Sequence, residues 1–221
     1  MIHFTPKLFA FLKDLKIHNT RPWFESNRVR YEADVKEPML HFIEDLGPRL
    51  RKISPHLLAD ARPVGGSMFR IYRDIRFSRD KSPYKTSVAA YFPNTATKHV
   101  HAPGFYLHLE PRRSSAGGGL WHPESESLKK VRDRIVAHPK EWRSARSRGV
   151  EIEGETLKRV PAGYDPAHPF AADLKLKDFT TGSEFADREV CAPDFMERYL
   201  ETCRAAAPLM EFLMKSLNLP W

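Results

Sequence analysis

The chain of 221 residues has only two cysteines, Cys191 and Cys203. They form no C-x-x-C pair and no zinc-ligand spacing, which excludes a disulfide scaffold and a cysteine metal centre. Two thiols without a framework suit a reducing compartment, and the cytoplasm is the expected location. Long apolar runs are also missing. Lys7 and Lys13 bracket Leu8-Phe9-Ala10-Phe11-Leu12, far short of the ~20 apolar residues that a membrane span requires, so no signal segment and no membrane partner are expected. No G-x-S-x-G elbow occurs, neither cysteine has a histidine near it in sequence, and no Lys-Ser/Thr follows Gly117-Gly118-Gly119. Covalent nucleophilic catalysis and a phosphate loop therefore lack support, and no cofactor is expected. Acidic residues are the minority, 28 against 36 basic ones, and the net charge of +8 attracts anions.

What is present suffices for a folded core. The hydrophobic fraction is 41% with 14 Phe, which removes disorder as the default. The 18 prolines are scattered, so they mark turns and helix starts rather than a linker. The whole chain, 1–221, reads as a single α+β domain: a mainly antiparallel sheet with helices on its apolar face and a polar cleft on the other. N-terminal helices are expected over about 5–58, opened by Thr5-Pro6 and carrying Leu8, Phe9, Leu12 and Leu15 on one stripe. A kink or brief break is expected at Gly47-Pro48. Period-two alternation then predicts a sheet over about 65–122, with Phe69, Ile71, Ile75 and Phe77 forming the apolar row of its first strand. Further rows are Val88, Ala90 and Phe92, then Phe105, Leu107 and Leu109, with Gly117 to Trp121 as a fourth strand or tight turn. Helix returns over about 123–147 with a break at His138-Pro139. An irregular stretch, 149–185, holds a short helix near Phe170 and a strand near Phe179, and a helix over about 194–217 closes the chain.

The segment from Arg70 to Lys85 carries the strongest chemical signal, with six basic and two acidic side chains in its 16 residues. On a strand, Arg70, Tyr72, Asp74 and Arg76 project from the polar face while Arg73 interrupts the apolar row. A guanidinium facing a core must be paired, because an uncompensated buried charge costs about 3–5 kcal/mol. Asp74 and Asp80 are its nearest partners, and the turn from Ser78 to Pro83 returns Tyr84 and Lys85 beside the first strand.

This segment resembles an uncharacterised bacterial and fungal family of unknown function with the pattern R-x-x-R-D-x-R-F-x-x-D-K-x-x-Y. Arg70, Arg73, Asp74, Arg76, Phe77, Asp80, Lys81 and Tyr84 meet it in full. The likeness extends over nearly the whole chain, through Arg21-Pro22-Trp23-Phe24, Gly104-Phe105-Tyr106-Leu107-His108, Gly118-Gly119-Leu120-Trp121 and Pro208 in the last helix. It implies no activity.

Chemistry is therefore read from the residues. Two acids cannot neutralise every arginine of the segment, and the surplus points to a small anionic ligand, a phosphate or carboxylate gripped by Arg70, Arg73, Arg76, Lys81 and Lys85. Asp74 and Asp80 orient the arginines, while Tyr84, His108 and Glu110 are the candidates for proton transfer. The competing readings are a structural salt-bridge network and a binding module for nucleic acid or an acidic partner. His99-x-His101, His108-x-Glu110 and His122 offer alternate-residue ligands in an order that fits no metal motif, so no metal is expected. The basic run from Lys129 to Arg148 reads as a solvated helix face with pairs such as Glu126–Lys130. Trp23 and Trp121 could stack on a planar ligand, but core packing is the expectation for each.

Overall fold

The computed structural model describes residues 1–97, 102–146 and 151–221. His99, His101 and Arg148 lie outside them. Helix α1 (Pro6–Ile17) starts on an N-terminal proline and buries Leu8, Phe9, Leu12 and Leu15, the stripe seen in sequence, together with Phe11. Helix α2 (Arg21–Ser26) begins where the Thr20 hydroxyl accepts from the Trp23 backbone N–H at 3.4 Å. Helix α3 (Arg28–Tyr31) passes through a π turn, Glu32–Lys36, into α4 (Glu37–Leu50). The break expected at Gly47-Pro48 is absent. Pro48 lies inside α4 on its exposed side, where solvent has room for its ring and only the last turn loses a bond. The irregularity falls earlier, at the π turn, and the helical region stops at Leu50 rather than near 58.

Among the described residues, one antiparallel sheet runs in the order β1 (Val88–Pro93), β2 (Gly104–Leu109), β3 (Ser114–Leu120) and β4 (Phe179–Phe185). β4 comes from the irregular stretch and pairs with β3 from Ser114↔Phe185 to Leu120↔Phe179. The strand predicted over Phe69–Phe77 is not in the sheet. The two arms of that segment meet only at the bridge Tyr72↔Tyr84, and Met68↔Ala90 joins the segment to β1. Local bonds account for this. Asp74 Oδ1 accepts from the Arg76 backbone N–H at 3.2 Å and Asp80 Oδ1 from that of Ser82 at 2.9 Å, closing turns that compete with a ladder. The return of Tyr84 and Lys85 is nonetheless as expected, since Arg73 N–H donates to the Pro83 carbonyl at 2.9 Å and Lys85 N–H to that of Ile71 at 2.8 Å.

The predicted inner rows of β1 and β2 are buried, and the long helix α9 (Phe195–Ser216) packs against β3 and β4. Tyr199, Leu200, Cys203 and Met210 join α1, α4, β1 and β2 in one apolar mass. Leu209, Phe212 and Leu213 face a second one, built with α5 (Ser125–Ala137), α6 (Pro139–Ala145) and α7 (Ala171–Leu174). Each fully buried Leu or Phe contributes about 1.5–3 kcal/mol. The break at His138-Pro139 and the Glu126–Lys130 pair, at 2.7 Å, are as expected. Helix α8 (Asp187–Val190) is a single turn before α9. Among the described residues no helix is long and apolar enough to cross a membrane.

Candidate functional site

With the helices on one face of the sheet, the other face is left to small and polar residues. Strand register aligns them in rows: Ala89, His108, Ser115 and Glu184, then Tyr91, Tyr106, Gly117 and Gly182, then Pro93, Gly104, Gly119 and Thr180. Four glycines thus meet in two adjacent rows, and the sheet is bare there. The result is a trough of about 540 Å³, within the usual range of small-molecule sites of roughly 300–1,000 Å³.

A Cβ at any of the four would overlap a neighbour, which is backbone at Gly117, Gly119 and Gly182. Gly119 has φ +151°, and a Cβ there would overlap the Phe179 carbonyl oxygen across the β3–β4 pair. A Cβ on Gly104 would overlap the Tyr91 ring, which lies over the strand with its hydroxyl donating to the Ala102 carbonyl.

The trough walls are aromatic and exposed: Phe69 at 39%, Tyr106 at 37% and Trp121 at 63%. Trp121 is therefore not a core residue, contrary to the sequence expectation. The next residue, His122, has φ +46°, and its backbone N–H donates to the buried Asp178 carboxylate at 2.6 Å, a turn that leaves the indole outside. Trp23 is half-buried and packs on the core near Phe11, as expected. Glu153 and Glu184 line the trough, and among the described residues no lysine, arginine or histidine does.

Cations stand at its edge. Lys85 Nζ lies 5.4 Å from the centre of the Phe69 ring, which is 6.2 Å from that of Tyr106. Partial burial, then the nearby Arg70 charge, hold the Lys85 pKa below its ordinary value. Among the described residues neither Arg70 nor Lys85 makes an ion pair.

Arg73, Asp74, Arg76, Asp80 and Lys81 are engaged within the segment, while Arg79 is exposed. Arg76 grips Asp74 with two bonds, Nη2–Oδ2 at 2.7 Å and Nε–Oδ1 at 3.0 Å, and these hold the Asp74 pKa down to about 2. Asp80 is lowered further by the Ser82 hydroxyl and then by its ion pair with Arg73. Lys81 Nζ donates to the Ile75 carbonyl at 3.0 Å. The surplus inferred from charge counting thus resides in Arg70, Arg79, Lys81 and Lys85, of which Lys85 stands beside the trough. Arg73, however, does not face the core: the side chain is 28% exposed. Nor is the predicted apolar row buried as a unit. Ile71 is buried, Ile75 half-buried, Phe69 exposed, and Phe77 is 95% exposed with Arg76 lying 5.8 Å over its ring. Phe77→Ser is accordingly expected to move stability by less than about 0.5 kcal/mol, and Arg73→Ala by less than about 1 kcal/mol, the scale of a surface pair. A loss above 3 kcal/mol in urea melts of Arg73→Ala would instead return the guanidinium to the core.

The three candidates for proton transfer separate. Tyr84 is buried, stacked on Phe24 with ring centres 4.1 Å apart, and is not among the trough residues. Its pKa is raised, by burial first and then by Tyr72 and Glu25, so the phenol belongs to the α2 side of the molecule. His108 and Glu110 stay together on the outer face. His108 Nδ1 is 3.2 Å from the Tyr106 hydroxyl and Nε2 is 3.3 Å from Glu110 Oε2, a continuous polar chain ending at the trough wall. Burial raises the Tyr106 pKa. Among the described residues no group of three or more His, Cys, Asp or Glu is placed to hold a metal ion.

Sequence reasoning missed Phe69 as a wall residue, the glycine floor, and Glu153 and Glu184, and it ranked core packing of Trp121 above stacking on a ligand. The only available signal was glycine at 104, 117, 119 and 182, and it becomes legible once register sets these positions side by side. A family model described as a conserved hypothetical protein, DUF2461, matches residues 7–212. No curated protein matches the chain.

Proposed function

We propose that this chain, which belongs to the conserved hypothetical protein family DUF2461, binds a small ring-bearing anion on the outer face of its sheet. The supporting observation is the juxtaposition of a glycine-floored trough, walled by three exposed aromatics, with Lys85 and Arg70, which make no ion pair among the described residues. A flat ligand regains the contacts that the aromatic walls lack in water. Its phosphate or carboxylate reaches past Phe69 to the ammonium and the guanidinium fork. Asp74, Asp80, Arg73, Arg76 and Lys81 shape the neighbouring loop and hold its turns. Should the bound molecule be turned over, Tyr106 is the group that meets it, with His108 and Glu110 passing the proton behind it.

Titration calorimetry with phenyl phosphate, a nucleoside monophosphate and inorganic phosphate tests the reading. Ring-bearing anions are expected to bind at least tenfold tighter than phosphate alone. Lys85→Ala and Trp121→Ala should each weaken binding about tenfold, or 1.4 kcal/mol. The anion requires the protonated amine, so affinity falls as pH rises through the Lys85 pKa, and that fall begins below the 10.5 of an ordinary lysine. Equal affinity in wild type and both variants would reject the trough as the site.

A second reading draws on Phe77. A ring exposed at 95% in a loop pinned by its own ion pairs, with Arg76 against it and Arg79 nearby, suits contact with an acidic protein or nucleic acid. Binding to such a partner that falls steeply with salt and is lost in Phe77→Ser, with Trp121→Ala unaffected, would favour it.

A further inference from the structure

We infer that the ring accepted by the trough is a polyhydroxylated, sugar-like one carrying a single anionic group, a ligand class that rests on the reading above. The charge distribution of the site carries the argument. Glu153 and Glu184 line the trough, while Lys85, with Arg70 near it, stands outside beyond Phe69. A ligand anion is therefore repelled from the floor and drawn to one edge. Ionised carboxylates only accept hydrogen bonds, so the part of the ligand beside them must donate. Hydroxyl groups meet that need; Ser115, on the same face, can donate to or accept from them, and Thr180, whose hydroxyl donates to the Glu153 carbonyl at 3.1 Å, can accept.

The walls fit the same class. A sugar ring presents polarised C–H bonds on its flat sides, and these face the negative π surface of an aromatic ring. Tyr106 and Trp121 offer such surfaces at the trough wall. With glycine at 117, 119 and 182, a puckered ring settles close to backbone, and the Tyr91 ring over Gly104 closes that end of the floor. An ammonium group is the other donor that carboxylates attract. A simple cation, however, is repelled by Lys85 and the neighbouring Arg70 at the trough edge, whereas hydroxyls are not.

Phosphorylated and carboxylated sugars share this chemistry, and the full-length protein distinguishes them by titration with glucose 6-phosphate and with glucuronate. Glucose, phenyl phosphate and choline serve as controls. At least one sugar anion is expected to bind tenfold or more tighter than both glucose and phenyl phosphate. Glu153→Ala and Glu184→Ala, both exposed and so expected to melt like wild type, should each weaken that sugar anion fivefold or more without weakening phenyl phosphate. Unaltered sugar binding in both variants, or phenyl phosphate binding more tightly than either sugar anion, overturns the sugar inference while the trough remains an anion site. Choline binding that is lost in the glutamate variants overturns it in favour of a cation. Failure of every anion to bind removes both the inference and the reading beneath it.

Discussion

Tyr84→Ala is expected to destabilise the protein by about 3–5 kcal/mol, the usual loss for removing a buried aromatic ring. Tyr84 is 2% exposed and stacks on Phe24 at 4.1 Å with the rings 18° apart. Its backbone is clasped from both sides by one side chain: Asn19 Nδ2 donates to the Tyr84 carbonyl, and the Tyr84 N–H donates to Asn19 Oδ1, each at 3.0 Å. The residue thereby ties the return arm of the Arg/Asp segment to the turn between α1 and α2. Tyr84→Phe keeps the ring and should cost less than about 1 kcal/mol, a small volume-conserving change. Asn19→Ala removes both clasping bonds and should cost about 1–3 kcal/mol, because the freed backbone groups are partly buried. Denaturant melts of the three variants decide the matter. If Tyr84→Phe were as damaging as Tyr84→Ala, the hydroxyl rather than the ring would anchor the segment, and a chemical role for it would regain support.

The other large effect is expected at Trp142, in the second apolar mass. Trp142 is fully buried, 4.9 Å from Phe212 and 5.8 Å from Phe179 between ring centres. Its indole Nε1 donates to the buried Asp173 carboxylate at 2.8 Å, which also receives Arg146 Nη1 at 2.7 Å. Trp142→Ala opens a cavity and removes one of two donors to a buried charge, for a loss of about 3–5 kcal/mol. At roughly 2–4 °C per kcal/mol for a chain of this size, the melting temperature should fall by about 10 °C. Trp142→Phe separates the contributions: most of the packing stays, and a loss of about 1–3 kcal/mol measures the missing N–H. A Trp142→Ala protein that melted within 2 °C of wild type would mean that α6 does not pack on α9 in solution.

Helices whose apolar residues recur on one face were legible from the chain alone. α1, α5, α6 and α9 lie where their stripes and prolines placed them, because a repeat near 3.6 residues and an N-terminal proline act locally. β1 and β2 were legible for the same reason, with Val88, Ala90 and Phe92 and then Phe105, Leu107 and Leu109 buried as read. The surplus of cations between Arg70 and Lys85 was legible from charge counting, and so was the outward row of Tyr106, His108 and Glu110. The strand over Phe69–Phe77 was misread because alternation shows what a segment could bury, whereas Asp74 and Asp80 closed turns that a ladder cannot hold.

Tertiary structure alone decided the rest. Pairing of β4 with β3 brings Gly182 beside Gly117, and β2 brings Gly104 beside Gly119, residues up to about 80 positions apart. No local pattern can express a floor made by the register of three strands, since a one-residue slip would turn these glycines to the opposite face. The outward position of Trp121 depended on a left-handed His122 anchored to Asp178, more than 50 residues later in the chain. Composition and periodicity determined which residues could be buried and which charge the surface would carry. Long-range pairing determined which of them meet, because a site is a matter of distance in space and the chain encodes only distance along itself.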